Sequence, residues 1–263
     1  ISEVKKKITK KTKAIIATHI YNFPLRVDIL KKICNKNKII LIEDAAEAIG
    51  QKLNNKLCGS FGDISIFSFY ANKQITTGEG GMITTNNKKL FEKSKSLRNL
   101  CFGKKDRFNH EDIGWNYRMT NLQASLGVSQ LKRIKSIVHK RHLVGKEYFQ
   151  RLKYNKNIYI PETSRNYAKN IYWVIAFVIT NKNLNIDAKK MMKKLITYGI
   201  QTRPFFWPMH KQKIFKEKYK INTSGNYKNS EYISKYGLYL PSSLDIKSNQ
   251  IKFICDKVNS ILK

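Results

Sequence analysis

The chain is 263 residues long with 41% hydrophobic and 11% aromatic residues, enough to bury a core and too apolar to stay disordered. No apolar run reaches the about 18 residues of a membrane span, and the start ISEVKKKITKKTK lacks a secretory apolar stretch, so a cytoplasmic protein without a membrane partner is expected. The net charge of +33 alone suggests nucleic acid, but it is spread along the chain, is mostly lysine and accompanies heavy use of Asn and Ile, so a solvated surface and no nucleic-acid partner are expected.

In chain order, Ala14 to Ile20 reads as a strand, Val27 to Cys34 as a helix, and Lys38 to Ile42 as a strand running into acidic Glu43 and Asp44. Ile64 to Phe69 and Gly81 to Thr85 read as strands, the second after the glycine-rich loop Gly78-Glu79-Gly80-Gly81. Helices are expected from about Lys88 to Leu97 and from Asn121 to Ile134. The second opens with a capping box, Thr120 and Gln123, and sets Leu122, Leu126, Leu131 and Ile134 along one face. Further on come a strand from Ile171 to Thr180, helices near Ala188 to Tyr198 and Glu231 to Tyr239, and a last helix with Ile251, Ile254, Val258 and Ile261 at helical spacing. This is the pattern of an α/β domain with a mostly parallel sheet over residues 1–150 and a smaller α+β lobe over residues 151–263. No internal repeat or low-complexity linker interrupts it.

The four cysteines, Cys34, Cys58, Cys101 and Cys255, are too scattered for a disulfide framework or a zinc pair, and are expected as ordinary buried or half-buried thiols. His139 and His142 are the only close histidine pair and lack a cysteine or carboxylate cluster, so no metal site is expected.

In open α/β sheets ligands sit beyond the carboxyl ends of the strands. Here one strand ends in Glu43-Asp44-Ala45-Ala46-Glu47 and another in Ser68-Phe69-Tyr70-Ala71-Asn72-Lys73, which would bring a carboxylate, a hydroxyl and a lysine to one sheet edge. Singly, an Asp or Ser at a strand end is usually a cap or turn former, and one lysine among many is usually solvated. Lys73 differs, because Phe67, Phe69 and Tyr70 precede it and tight glycines follow. An amine in such partly desolvated surroundings loses proton affinity and becomes nucleophilic.

Three ordered segments, IEDAAEAIG (Ile42–Gly50), GSFGDISIFSFYANKQITTGEGGMITTN (Gly59–Asn86) and GWNYRMTNLQASLG (Gly114–Gly127), resemble the sugar-nucleotide aminotransferases among fold-type-I pyridoxal-phosphate enzymes. The resemblance runs from about Ile8 to the end of the chain, where GLYLPSSL (Gly237–Leu244) also matches. RPFFWPMH (Arg203–His210) most resembles the perosamine-synthase branch, which aminates a GDP-linked 4-keto-6-deoxy sugar. The resemblance implies that Lys73 bonds pyridoxal 5'-phosphate as its Schiff-base lysine and then shuttles protons, that Asp44 pairs with the pyridine nitrogen, and that Ser68 binds the phosphate. It implies that Asn116 reaches the phosphate of a neighbouring subunit's cofactor, hence a homodimer. The substrates would be a nucleotide sugar and an amino-acid donor such as glutamate. Glu47 stands where relatives often carry a neutral hydrogen-bond donor toward the cofactor's phenolic oxygen, which a carboxylate would repel unless protonated. Phe205, Trp207 and His210 are candidates for lining the sugar-nucleotide site, against the alternative of ordinary core or interface packing.

By the same resemblance an N-terminal segment is expected to be missing. It carries three strands of the large sheet and a glycine-threonine helix N-terminus that cradles the phosphate. The large domain would then be incomplete, with both outer edges of its sheet unpaired and apolar surface uncovered. The alternatives are a fragment of a longer enzyme, half of a split enzyme completed by a separate chain, and an inactive remnant. The presence of Lys73, Asp44, Ser68 and Asn116 together favours the first two.

Overall fold

The computed structural model describes residues 1–103 and 105–263. In chain order the elements are α1 (Ser2–Lys7), β1 (Ala14–Thr18), α2 (Val27–Asn37), β2 (Ile40–Asp44), β3 (Lys52–Leu53), β4 (Lys56–Leu57), β5 (Ile64–Ser68) and β6 (Gly81–Thr84), then α3 (Lys88–Arg98), α4 (Asn121–Leu131) and α5 (Ile134–Leu152). There follow β7 (Ile158–Tyr159), β8 (Ser164–Arg165), β9 (Ala168–Lys169), β10 (Ile175–Ile179), α6 (Ala188–Ile196), β11 (Arg203–Pro204), α7 (Lys213–Glu217), α8 (Lys228–Tyr236), β12 (Gly237–Leu240) and α9 (Ser248–Ile261). They form two compact units, Ile1–His139 with Ser164–Trp173, and Lys140–Thr163 with Val174–Lys263.

The first unit is built on a four-stranded sheet in the order β1-β2-β5-β6, in which β1, β2 and β5 run parallel and β6 is antiparallel. Successive side chains on a strand point to opposite faces. Leu41, Glu43 and Ser65 therefore lie on one face, which packs on Val27, Leu30 and Cys34 of α2 with Ala45, Ala48, Leu53 and Cys58. The other face carries Ile16, Ile42 and Ile64 in register, and beyond them Asp44 opposite Ile66. On this face Ile16 is 68% exposed and Ile40 and Ile66 are also exposed. β1 and β6 are the outer strands, so each has one edge without a strand partner among the described residues.

The second unit holds an all-antiparallel sheet in the order β11-β12-β10-β7. Every residue of β10 is buried, an apolar IAFVI run covered on both faces. Met191 and Leu195 of α6 and Ile251, Ile254 and Val258 of α9 close the core, each at helical spacing. Tyr148 is fully buried, and its hydroxyl donates to the Pro241 carbonyl at 2.9 Å.

The elements depart most from the expected ones in three places. The strand expected from Ile171 starts only at Ile175, because Tyr172 takes a left-handed φ of 50° that no strand accommodates. The helix expected to end at Ile134 stops at Leu131, and a separate 19-residue helix, α5, begins at Ile134. Lysine, arginine and histidine crowd α5 and mask its apolar periodicity. The helix expected over Glu231 to Tyr239 gives way to β12 at Gly237, where a Cβ would collide with the Ile233 carbonyl and the Phe205 ring. Glu43 and Asp44 end the strand β2, as the sequence has them, and alternation along it sends their side chains to opposite faces. All four cysteines are free and buried.

Candidate active site

Glu43 and Asp44 show how two adjacent acids acquire separate tasks. The Glu43 side chain, fully buried on the α2 face, accepts hydrogen bonds from the backbone N–H groups of Gly59 (2.6 Å), Phe61 (2.8 Å) and Gly62 (2.9 Å). It also meets His19 Nε2 at 2.9 Å. Because His19 Nδ1 accepts the Leu25 N–H at 3.1 Å, the neutral ring carries its proton on Nε2 and donates it to Glu43. Burial pushes the Glu43 carboxyl up, but the bonds from His19, Gly59, Gly62 and Phe61 outweigh it and hold the group below the usual range. This knot fixes the loop between β4 and β5 and so the end of β2.

Among the described residues, the one cluster whose atoms could meet a metal ion is His19, Glu43 and Cys58, with ligand atoms within 4.8 Å of one another. Its chemistry argues against a metal. Both His19 nitrogens and both Glu43 oxygens already hold hydrogen bonds, and burial pushes the Cys58 thiol up to about 12, far from the thiolate a metal needs.

Asp44 faces the other side, half-buried, with Oδ1 accepting the Ala46 N–H at 3.1 Å. Ser68 shares this face, since Asp44 pairs with Ile66 and side chains alternate along β5. Its Oγ accepts the Tyr70 N–H at 3.3 Å, and its hydroxyl proton has no acceptor among the described residues. Lys73 follows on the loop from β5. Burial lowers its proton affinity, against the opposing pull of the Glu47 and Asp44 carboxylates, and the net effect is a lowered pKa. Both acids thus act on this amine.

The ring beneath Lys73 is Trp173, whose centroid lies 4.2 Å from Nζ, rather than the aromatics that precede the lysine. Trp173 stacks on Tyr21 at 6.3 Å and donates its indole N–H to the Asn72 carbonyl at 3.2 Å. The loop is held from its far side by α4. Gln130 accepts the Thr76 N–H at 3.1 Å and donates to the Thr76 carbonyl at 2.6 Å, and Gln123 donates to the Glu79 carbonyl at 3.1 Å. The expected capping box is present, with Thr120 and Gln123 exchanging bonds.

Glu47, 6% exposed, sits on the turn after Asp44. Its Oε2 accepts the Tyr21 N–H at 2.6 Å and its carbonyl accepts the Gln74 amide at 2.6 Å. Burial pushes its carboxyl up to about 7, against the Tyr21 N–H and Lys73, while Asp44 adds to the rise. Asn116 is exposed, its Oδ1 accepting Arg118 Nε at 2.9 Å, and no bond joins it to Lys73. Trp173, Tyr21, His19, Glu43 and Gln130 were not singled out in the sequence. A period-two reading of β2 would have separated Glu43 from Asp44, whereas nothing local marks Trp173.

In the second unit, Phe205 and Trp207 line a cavity of about 1180 Å³ together with Arg203, Lys211, Tyr232 and Tyr236. His210 lies instead on a neighbouring cavity of about 490 Å³ that shares Trp207 and Lys211. Its Nε2 meets Glu231 at 3.1 Å and its ring stacks on Tyr227 at 4.3 Å.

A half-buried amine flanked by two carboxylates and resting on an indole can bond a carbonyl carbon and pass protons. Residues 1–259 match the DegT/DnrJ/EryC1/StrS aminotransferase family. The chain is 32% identical over 259 residues to a GDP-perosamine synthase of Escherichia coli O157:H7, covering 98% of this chain and 68% of that protein. It is 35% identical over 263 residues to a GDP-perosamine synthase of Vibrio cholerae, covering 99% and 69%. Among solved structures, Helicobacter pylori PseC, an aminotransferase involved in the biosynthesis of pseudoaminic acid, superposes with a TM-score of 0.90 at 26% identity, over 98% of this chain and 69% of that one. These matches span nearly the whole chain, so it belongs to the DegT/DnrJ/EryC1/StrS family of aminotransferases.

Proposed function

We propose that the chain is a pyridoxal-phosphate-dependent aminotransferase, perosamine-synthase-like, that moves an amino group from an amino-acid donor, glutamate, onto a nucleotide-linked keto-deoxy sugar, forming an amino sugar for surface polysaccharide. The observation that carries this reading is Lys73, an amine of lowered proton affinity acted on by Asp44 and Glu47 beside the Trp173 ring. The residues fit the cofactor. Ser68 has a hydroxyl proton to give, and Gln74 Oε1 is a buried acceptor without a partner.

In this reading Lys73 would hold the cofactor through its aldehyde group, water being lost as the amine bonds it, and would move protons at the substrate carbon. Asp44 holds the proton of the ring nitrogen, Ser68 binds the phosphate, and Glu47 addresses the ring. When bound, pyridoxal phosphate supplies an electron sink for negative charge at the reacting carbon. Phe205, Trp207 and His210 take the sugar nucleotide, whose base suits aromatic rings and whose diphosphate suits Arg203 and Lys211.

A homodimer belongs to the same reading, with Asn116 serving the second copy's phosphate. The surface around it supports this, because no residue of α4 is buried and Leu122, Leu126, Val128, Leu131 and Tyr117 are all exposed, an apolar patch that a second copy would cover. The test is spectroscopic. Pyridoxal phosphate added to the protein should give a visible absorbance band that Lys73→Ala abolishes. An unchanged spectrum in the variant would remove Lys73 from the reaction.

A further inference from the structure

Trp173 touches the Lys73 loop in two ways. Its buried ring lies under the amine, with the centroid 4.2 Å from Nζ, and its indole N–H donates to the carbonyl of Asn72, the residue before Lys73, at 3.2 Å. That 4.2 Å is the shortest cation-to-ring distance among the described residues. The ring is itself fixed, stacked on Tyr21 at 6.3 Å with 20° between the planes, while the Tyr21 N–H is anchored on Glu47 Oε2 at 2.6 Å. Resting on the aminotransferase reading above, we infer that Trp173 is a positioning residue for the reaction, whose ring face seats Lys73 whenever its amine carries a proton and whose N–H sets the loop from which that amine reaches out.

The face of an aromatic ring is its electronegative side, so it attracts a cation and does little for a neutral amine. Lys73 needs both forms, neutral to bond a carbonyl carbon and protonated after taking a proton from the substrate carbon. The charged groups acting on it are Glu47 and Asp44, which favour the cation, and burial opposes them and prevails. Once the cofactor is bound, Asp44 is engaged by the proton of the ring nitrogen and its pull on Lys73 weakens. The indole has no net charge to be neutralised, so its attraction for the ammonium persists, and at a half-buried site water screens it little. Trp173 therefore holds the proton-carrying form of Lys73 in place without making the amine permanently cationic.

The test separates the ring face from the indole N–H. Acetic anhydride acylates only the unprotonated amine, releasing acetate and a proton. The pH dependence of labelling at Lys73, resolved by peptide mass spectrometry on the apo-protein, therefore gives the titration midpoint of this one lysine, with Glu47 and Asp44 the same in every variant. Trp173→Phe keeps a face without the N–H and should leave the midpoint within about half a unit of native. Trp173→Leu loses both and should lower it by about one unit, so that Lys73 labels about tenfold faster below the midpoint. Fluorinated tryptophan at all three tryptophan positions keeps the shape and the N–H but withdraws electron density from the face. It should lower the midpoint stepwise with the number of fluorines, and do nothing in Trp173→Phe, which retains Trp115 and Trp207. A midpoint in Trp173→Leu equal to or above that of Trp173→Phe, or a fluorine series without a shift, would overturn the inference while the Lys73-dependent band with pyridoxal phosphate leaves the aminotransferase reading standing. Absence of that band would overturn both.

Discussion

Replacing Glu43 by Gln tests whether the knot under the site is a carboxylate held by its donors. The native group accepts from His19 and Gly59 on Oε1 and from Phe61 and Gly62 on Oε2. An amide keeps one acceptor oxygen, and in either orientation its NH₂ confronts two N–H donors that lose their partner. Each buried donor left unsatisfied costs about 1–3 kcal/mol, so the substitution should destabilise the protein by about 4 kcal/mol. Urea unfolding at pH 7 reads this directly, with an unchanged denaturant slope showing that the unfolded state is the same. The sign of the pH dependence follows from the lowered carboxyl. The folded state binds the proton less tightly than the unfolded one, so the native advantage is complete above about 4.5 and fades as pH falls through the folded value. The gap between native and Gln proteins should therefore narrow on acidification. A loss below about 1 kcal/mol at pH 7, or a gap that widens in acid, would refute the argument that these hydrogen bonds hold an ionised group.

Trp173→Phe keeps a ring under Lys73 but removes the N–H that holds the Asn72 carbonyl, and should cost about 1 kcal/mol in the same unfolding assay while leaving the Lys73-dependent absorbance band in place. Leu126→Lys places a charge in the exposed apolar patch of α4. If that patch joins two copies, light scattering should show the native dimer becoming monomer, and a native chain already monomeric at micromolar concentration would exclude the shared site.

Much of the fold was legible because its physics is local. The alternation of buried and open positions in β1, β2 and β5, the capping box of α4 and the spacing of Ile251, Ile254 and Val258 in α9 can all be read from short windows. Asp44, Ser68 and Lys73 stood out for the same reason, being residues of unlike chemistry just past apolar runs. What was not legible depends on distant chain. Trp173 is 100 residues beyond Lys73, and the left-handed Tyr172 just before it leaves it outside β10, which starts at Ile175. The exposed side of α4 shows the converse limit. Leucine spacing indicates an apolar face, but spacing alone does not say whether that face is buried in its own chain, and here it is not.

The same dependence explains why Glu43 and Glu47, both acids, both buried and only four positions apart, shift in opposite directions. Burial raises each of them. Glu43 receives three backbone donors and a histidine, and stays ionised. Glu47 receives a single backbone donor and a partly desolvated lysine, and is pushed up to about 7. The number of donors that the fold delivers to each carboxyl, rather than its depth, decides which one is a permanent anion in the scaffold and which can hold a proton beside Lys73.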